Sequence, residues 1–131
     1  MHRRVMLSSL ALLAACALSL PAQAQVHRHF PANALRGEFE MQAFPNVQIN
    51  HRAARMAPGG RIWGDTGLLQ QPGALIGGRY IVNYRVEASS GLVIEVWILN
   101  PVELANKRWP HTSQEAATWQ FDAASQTWTK P

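Results

Sequence analysis

An alternating pattern of side chains over residues 79–99 limits the fold of this chain more than any other feature. The segment reads RYIVNYRVEASSGLVIEVWIL, with apolar residues at every second position on both sides of a Ser-Ser-Gly turn signal. Such alternation is typical of strands with one buried face. Pairing Val86 with Leu92 sets Tyr84 opposite Ile94 and gives one fully apolar face. We therefore expect an antiparallel hairpin in this register at the centre of the core.

Shorter segments before this hairpin also have the character of strands. A first strand is predicted over residues 35–44, and residues 47–56 predict a tight hairpin. Asn and His tolerate the left-handed backbone conformation better than most residues, so Asn50-His51 fills the two-residue turn. This turn sets Ile49 opposite Arg52.

The rest of the chain predicts loops and a closing hairpin. Residues 64–73 form a loop, with Leu68 and Leu69 expected to point inward. Thr112 or Ser113 can cap a short helix, and a final hairpin follows over residues 118–131. No stretch of twelve residues has a helical apolar period. The prediction is an all-β fold: a small antiparallel barrel (OB-like) or a sandwich, with about six strands, a C-terminal β-hairpin and at most one short helix.

The first 24 residues have the features of an export signal. Arg3 and Arg4 precede an apolar run, and Ala22 and Ala24 supply the small residues that signal peptidase needs at its cleavage site. This predicts cleavage after Ala24, a periplasmic location and no transmembrane anchor in the mature form. Leu-Ala-Ala-Cys ending at Cys16 matches a lipobox, so a lipoprotein anchored at Cys16 is the alternative.

Removal of the signal changes what the composition implies. The mature chain would have 107 residues, enough for one β domain over residues 35–131 preceded by an N-terminal extension over 25–34. Of twelve Lys and Arg residues, Arg3 and Arg4 are lost, which leaves ten against eight acids and a formal charge of +2. The remaining charges are scattered, which argues against nucleic-acid binding. Cys16 is the only cysteine, so the mature chain has neither disulfides nor a thiolate nucleophile.

Four segments carry a resemblance to other proteins: FPANALRGEFE, GALIGGRYIVNY, VWILNP and TWQFDAASQTW. They are similar to segments of small uncharacterised exported proteins of Gram-negative proteobacteria, and the similarity spans most of the mature chain. The resemblance implies export to the periplasm. It carries no catalytic residue into this chain, because no activity is attached to it.

Cleavage after Ala24 would make His27 the third residue of the mature chain. A free amine, two amides and the His27 imidazole can surround Cu(II) or Ni(II) in a square plane, and His29 can add a nitrogen. Any chain with histidine in third place has this potential, and Gln25 can cyclise and remove the amine. A frayed terminus is the competing interpretation.

Exposed aromatic and basic residues suggest a ligand or partner surface. Trp97 lies opposite the apolar face of the central hairpin, so another element must cover it or it forms a contact surface with Trp63. Arg52 and Arg55 could add an anion-binding patch around the second hairpin. Core packing of the tryptophans and solvation of the arginines are the competing interpretations.

Catalytic patterns have little support. Glu38 and Glu40 fall on one strand face, and paired carboxylates can hydrolyse glycosides, but that reaction also needs a sugar cleft. The sequence has no Gly-x-Ser-x-Gly motif and no phosphate-binding Gly loop with lysine. We predict a non-enzymatic exported β-module that binds a small ligand or an envelope protein. A periplasmic copper- or nickel-binding protein using His27 and His29 is the alternative.

Overall fold

Five strands close into a barrel in the computed structural model, which describes residues 26–131. The strands are β1 (Leu35–Met41), β2 (Asn46–Ile49), β3 (Arg52–Trp63), β4 (Arg79–Val86) and β5 (Val93–Ile98). Their order around the barrel is β1-β2-β3-β5-β4, and β1 pairs with β4 to close it. All pairs are antiparallel except β3 with β5. A five-stranded barrel in this order has the Greek-key arrangement of OB-type folds, so the prediction of a small all-β barrel is confirmed.

The predicted export signal lies outside the described residues. The same applies to Ala22 and Ala24 at the cleavage site, to Cys16 and to Gln25. Among the helices of residues 26–131, none has the length and apolar character to cross a membrane.

The tight turn between β2 and β3 forms as predicted. Asn50 and His51 both have left-handed backbone angles, with φ of 53° and 64°. Ile49 pairs with Arg52 and Val47 with Ala54, which is the predicted register. Both residues of such a turn need positive φ, and this requirement explains why Asn and His occupy it.

The pairing of β4 with β5 differs from the predicted register by two residues. Tyr84 pairs with Val96 rather than Ile94, and Arg85 pairs directly with Glu95. A two-residue shift leaves every side chain on its original face, so alternation alone cannot distinguish the two registers. An irregularity next to Val86 then turns Val93 into the core, where it is 1% exposed.

The barrel interior is filled by apolar side chains from all five strands. The largest fully buried members are Phe39 of β1 and Met56 of β3. Leu75 adds to this core from a short 3-10 helix, Pro72–Leu75.

The loop after β3 projects from the barrel instead of packing into it. Leu68 and Leu69 are 68% and 59% exposed, so the prediction that they point inward is wrong. The loop forms its own small hairpin: the Gly64 amide donates to the Leu68 carbonyl at 2.8 Å, and Gly67 has φ of 84°. The hydrogen bond pairs two backbone groups within the loop, and the Leu68 and Leu69 side chains face solvent.

A second layer covers the outside of part of the barrel. It contains α1 (Pro101–Ala105), α2 (Ser113–Thr118), and a hairpin of β6 (Gln120–Asp122) and β7 (Thr127–Thr129). Thr112, one of the two predicted caps, caps α2, and the predicted final hairpin forms with Phe121 opposite Trp128. Residues 26–131 contain two short α-helices in addition to the 3-10 helix, rather than at most one short helix, because Asn100 caps α1 as Thr112 caps α2.

The N-terminal residues of the described chain belong to this outer layer. Phe30 and Ala34 are buried in a second apolar cluster with Leu99, Trp109 and Trp128. The segment predicted as an N-terminal extension therefore packs against the C-terminal part of the chain from Phe30 onward.

Candidate functional site

One end of the barrel opens into a hollow of about 520 Å³. We call it the barrel mouth and define its floor by Ile49, Ala54, Tyr84 and Val93. These side chains come from β2, β3, β4 and β5, and Ile49, Tyr84 and Val93 also belong to the barrel core. The floor of the mouth is thus the apolar end of the core.

Polar residues form the rim of the barrel mouth. Arg52 lies at the rim because it is the first residue of β3 after the tight turn and pairs with Ile49. His111 and Thr112 reach the rim from the segment that leads into α2. Arg52 and His111 are exposed. A ligand on the apolar floor would therefore meet nitrogen donors at its outer end.

Asn50 joins the mouth to the neighbouring strand. The Asn50 backbone N–H donates to the Glu38 carbonyl at 2.8 Å, and the Asn50 side-chain oxygen accepts from the Glu38 backbone N–H at 2.9 Å. Gly37 allows this approach: a methyl group there would lie 3.1 Å from Asn50 Oδ1 and 3.1 Å from Tyr84 Cε1. One wall of the mouth thus depends on the absence of a side chain at position 37.

The charge of the mouth is positive. Its lining includes Arg52 and no aspartate or glutamate among the described residues. Within residues 26–131, Arg52 has no carboxylate partner closer than 4 Å. Burial raises the pKa of Tyr84, so this phenol stays neutral around pH 7. A negatively charged ligand group would meet no opposing charge among these lining residues.

A smaller hollow of about 340 Å³ lies beside β3. Phe44, Arg55 and Leu92 line it together with Pro45, Met56 and Pro58. Arg55 lines this hollow and Arg52 lines the mouth, so the two candidate arginines do not share one site.

The two candidate tryptophans line neither hollow. Trp63 and Trp97 are partners in the β3–β5 pairing and both are partly buried. Trp63 donates its ring N–H to Glu95 at 2.8 Å, and Trp97 packs edge-on against Phe30 at 5.5 Å between ring centres. Phe30 of the N-terminal segment therefore covers part of Trp97, which packs against the second apolar cluster.

The two candidate metal-binding histidines lie in different surroundings. His27 is partly buried: its ring contacts Phe30 and Trp109, Nδ1 lies 2.8 Å from the Arg28 carbonyl, and Nε2 lies 3.1 Å from Asn106 Nδ2. His29 is exposed. The backbone nitrogens of a copper or nickel site would include Gln25, which lies outside the described residues.

The candidate carboxylates do lie side by side. Glu38 and Glu40 are on the outer face of β1, with Arg79 of β4 against both. Glu40 borders a hollow of about 190 Å³ together with Arg79, while Glu38 does not line it. His51, from the tight turn between β2 and β3, also lies next to Glu38.

Sequence reasoning identified Arg52 but missed the mouth as a site. Tyr84 and Val93 are predicted only as residues of the central hairpin. Only closure of the barrel brings these distant segments together, and no local motif signals it.

Comparison with known proteins adds no functional information. No protein-family model matches the chain, and neither the curated proteins nor the solved structures include a significant match. Inference about function therefore depends on the geometry of the described residues.

Proposed function

We propose that this chain is an exported, non-enzymatic binding module that holds a small amphipathic anion in the barrel mouth. The observation that carries the proposal is the combination of an apolar floor with Arg52 at the rim, which has no carboxylate partner within residues 26–131. The mouths of β-barrels are frequent ligand sites, and ligand pockets commonly measure roughly 300–1,000 Å³. The hollow of about 520 Å³ falls within that range.

The shape of the mouth favours a ligand with a short apolar tail. Ile49, Ala54 and Val93 present only hydrocarbon to the floor, and Tyr84 presents an aromatic ring. An aliphatic tail would exclude water from this surface, and burial of apolar area favours binding at roughly 25 cal/mol per Å².

The rim favours an anionic head group at the outer end of that tail. An Arg guanidinium can form two parallel hydrogen bonds with a carboxylate or phosphate, and this arrangement adds geometric specificity. Arg52 is free to form them, since its side chain has no carboxylate partner within residues 26–131.

The test is an NMR titration of the isotope-labelled chain with octanoate, with the neutral alcohol octanol as its matched ligand. We expect octanoate to shift the backbone amide signals of residues 49–54 and 91–93, and octanol to bind more weakly. Arg52→Ala should weaken octanoate binding about tenfold, the effect of losing a charge-assisted contact worth about 1.4 kcal/mol.

Arg55→Ala is the matched control, because Arg55 borders the other hollow and is also exposed. It should leave octanoate affinity unchanged. Equal loss of affinity in Arg52→Ala and Arg55→Ala, or equal affinity for octanoate and octanol, would contradict the proposal. Ala54→Phe should abolish binding of either ligand by filling the floor.

A further inference from the structure

Glu38, Glu40 and His51 bring three metal-ligating groups to one point on the outer face of the barrel. One imidazole nitrogen and one carboxylate oxygen from each glutamate all lie within 4.8 Å of one another. His51 Nε2 lies 3.6 Å from Glu38 Oε2. In a tetrahedral zinc site with bonds of about 2.0–2.2 Å, ligand atoms lie roughly 3.3–3.6 Å apart. Small side-chain rotations would bring the three groups to that spacing.

We propose that this cluster binds one divalent transition-metal ion, with Zn²⁺ as the expected ion. Two carboxylates and one imidazole form a ligand set that zinc accepts, and a water molecule completes its four-coordinate shell. The imidazole favours zinc and its neighbours over calcium and magnesium, which prefer oxygen ligands. This site is separate from the barrel mouth and goes beyond the proposed binding function.

One carboxylate oxygen of this cluster keeps a lone pair for a metal ion. Glu40 Oε1 accepts no hydrogen bond within the described residues, and its contact there is an ion pair with Arg79 Nε at 2.8 Å. The Glu40 side chain is 24% exposed, so an ion can reach it from solvent. A carboxylate oxygen has two lone pairs, and one ion pair therefore leaves this oxygen able to bind a metal as well.

The backbone beneath the cluster fixes His51 relative to Glu38. The two hydrogen bonds between Asn50 and the Glu38 backbone, at 2.8 and 2.9 Å, tie the tight turn to β1. His51 follows directly in the same turn, with φ of 64°. The ligands from two elements are thus held together before any ion binds, which reduces the conformational entropy lost on binding.

Arg79 competes with the metal for both carboxylates. Its Nε lies 2.8 Å from Glu40 Oε1 and 3.9 Å from Glu38 Oε1, and its side chain is 68% exposed. Exposed ion pairs of this kind contribute little to stability, so the guanidinium can move into solvent when the metal binds. Removal of Arg79 should therefore strengthen metal binding.

The test is calorimetric titration of ZnCl₂ into the full chain carrying His2→Ala, Cys16→Ala, His27→Ala and His29→Ala, which removes the three N-terminal histidines and the single cysteine as competing ligands. We expect one zinc ion per chain. His51→Asn and Glu40→Gln should each lower the affinity at least tenfold, while Arg79→Ala should raise it several-fold. Asn is used at position 51 because it tolerates the left-handed backbone angle. Glu40→Gln tests the same site without altering the turn.

His111→Asn is the matched control, since His111 is exposed but lies outside the cluster. It should leave zinc affinity unchanged. Co²⁺ provides a second measurement, because its visible spectrum reports tetrahedral coordination and should disappear in Glu40→Gln. The proposal is overturned if zinc fails to bind both the parent chain and Arg79→Ala at millimolar concentration. It is also overturned if His111→Asn weakens binding as much as His51→Asn and Glu40→Gln do.

Discussion

Glu103 is fully buried at the first turn of α1, and Arg28, 75 residues away in sequence, donates three hydrogen bonds to its carboxylate. The Arg28 guanidinium also donates to the carbonyls of Gly64 and Ile98 at 2.7 and 2.6 Å. Glu103 also accepts from the Asn100 amide at 3.0 Å, which completes the capping box of α1. One ion pair therefore fastens the N-terminal segment, α1 and two strand ends to each other.

Loss of Arg28 should destabilise the fold strongly. Arg28→Ala leaves the Glu103 carboxylate buried without its cation, and breaking a buried pair in this way costs about 3–5 kcal/mol. Chemical denaturation should show this as a lower free energy of unfolding. Arg79→Ala is the matched control, because the Arg79 side chain is 68% exposed and its ion pairs should contribute less than about 1 kcal/mol. Equal losses in the two variants would show that the buried pair has no special role.

The same pair predicts a dependence of stability on acid pH. Desolvation raises the pKa of Glu103, but hydrogen bonds from Arg28 and Asn100 and the charge of Arg28 outweigh it, so the pKa lies below its ordinary value of 4.5. A folded-state pKa below the unfolded value contributes stability that is present above about pH 4.5 and is lost as pH falls through the folded pKa.

Denaturation of the wild-type chain between pH 7 and pH 3 should therefore show a steeper loss of stability below pH 4.5 than Glu103→Gln shows. NMR titration of the Glu103 carboxyl carbon supplies a direct measurement in the wild-type chain. A Glu103 pKa at or above 4.5, or parallel pH profiles for the two chains, would contradict this prediction.

Gly37 provides a test of the packing behind the barrel mouth. In Gly37→Ala, the new methyl group would lie 3.1 Å from both Asn50 Oδ1 and Tyr84 Cε1. Asn50 is held by two backbone hydrogen bonds and Tyr84 by the core, so neither can move freely. Overpacking of this kind costs about 1–3 kcal/mol. Thermal unfolding should show a lower midpoint for Gly37→Ala than for the wild-type chain.

Gly73→Ala is the control for this substitution. Among residues 26–131, apart from its chain neighbours and the backbone of its own short helix, no atom lies within 4 Å of a methyl group at position 73, and its backbone angle is not left-handed. Replacing such a glycine by alanine is neutral or stabilises a protein by up to about 1 kcal/mol, through the unfolded state. Equal stability of Gly37→Ala and Gly73→Ala would contradict the prediction, because Asn50 and Tyr84 would then have moved to accommodate the new methyl group.

The sequence predicted those features of the fold that depend on a few neighbouring residues. The Asn50-His51 turn follows from the residues that tolerate positive φ, and the alternation in β4 and β5 assigned the correct faces to Tyr84 and Val96. The pairing register was wrong because two registers that differ by two residues bury the same faces. The cap of α1 was missed although Asn100, Pro101 and Glu103 provide a recognisable capping box in sequence.

The two candidate sites are formed by residues from distant segments, and no local sequence motif shows that these residues meet. Arg52 was identified by its charge, but Tyr84, Val93 and His111, which line the same hollow, come from three other segments. Likewise, Glu38 and Glu40 were correctly placed on one face, while the approach of His51 depends on how the turn folds over β1. Tertiary closure of the barrel, which is set by long-range pairing, determines both sites.

The projecting loop after β3 gives a final prediction that separates exposed from buried leucines. Leu68→Ser should change the free energy of unfolding by no more than about 0.5 kcal/mol, because Leu68 is 68% exposed and its backbone hydrogen bond does not involve the side chain. Leu75→Ala, only seven positions later, should cost about 2–5 kcal/mol because Leu75 is 5% exposed in the barrel core. Urea denaturation of both variants measures the difference. A large loss in Leu68→Ser would mean that this loop packs against the barrel in solution.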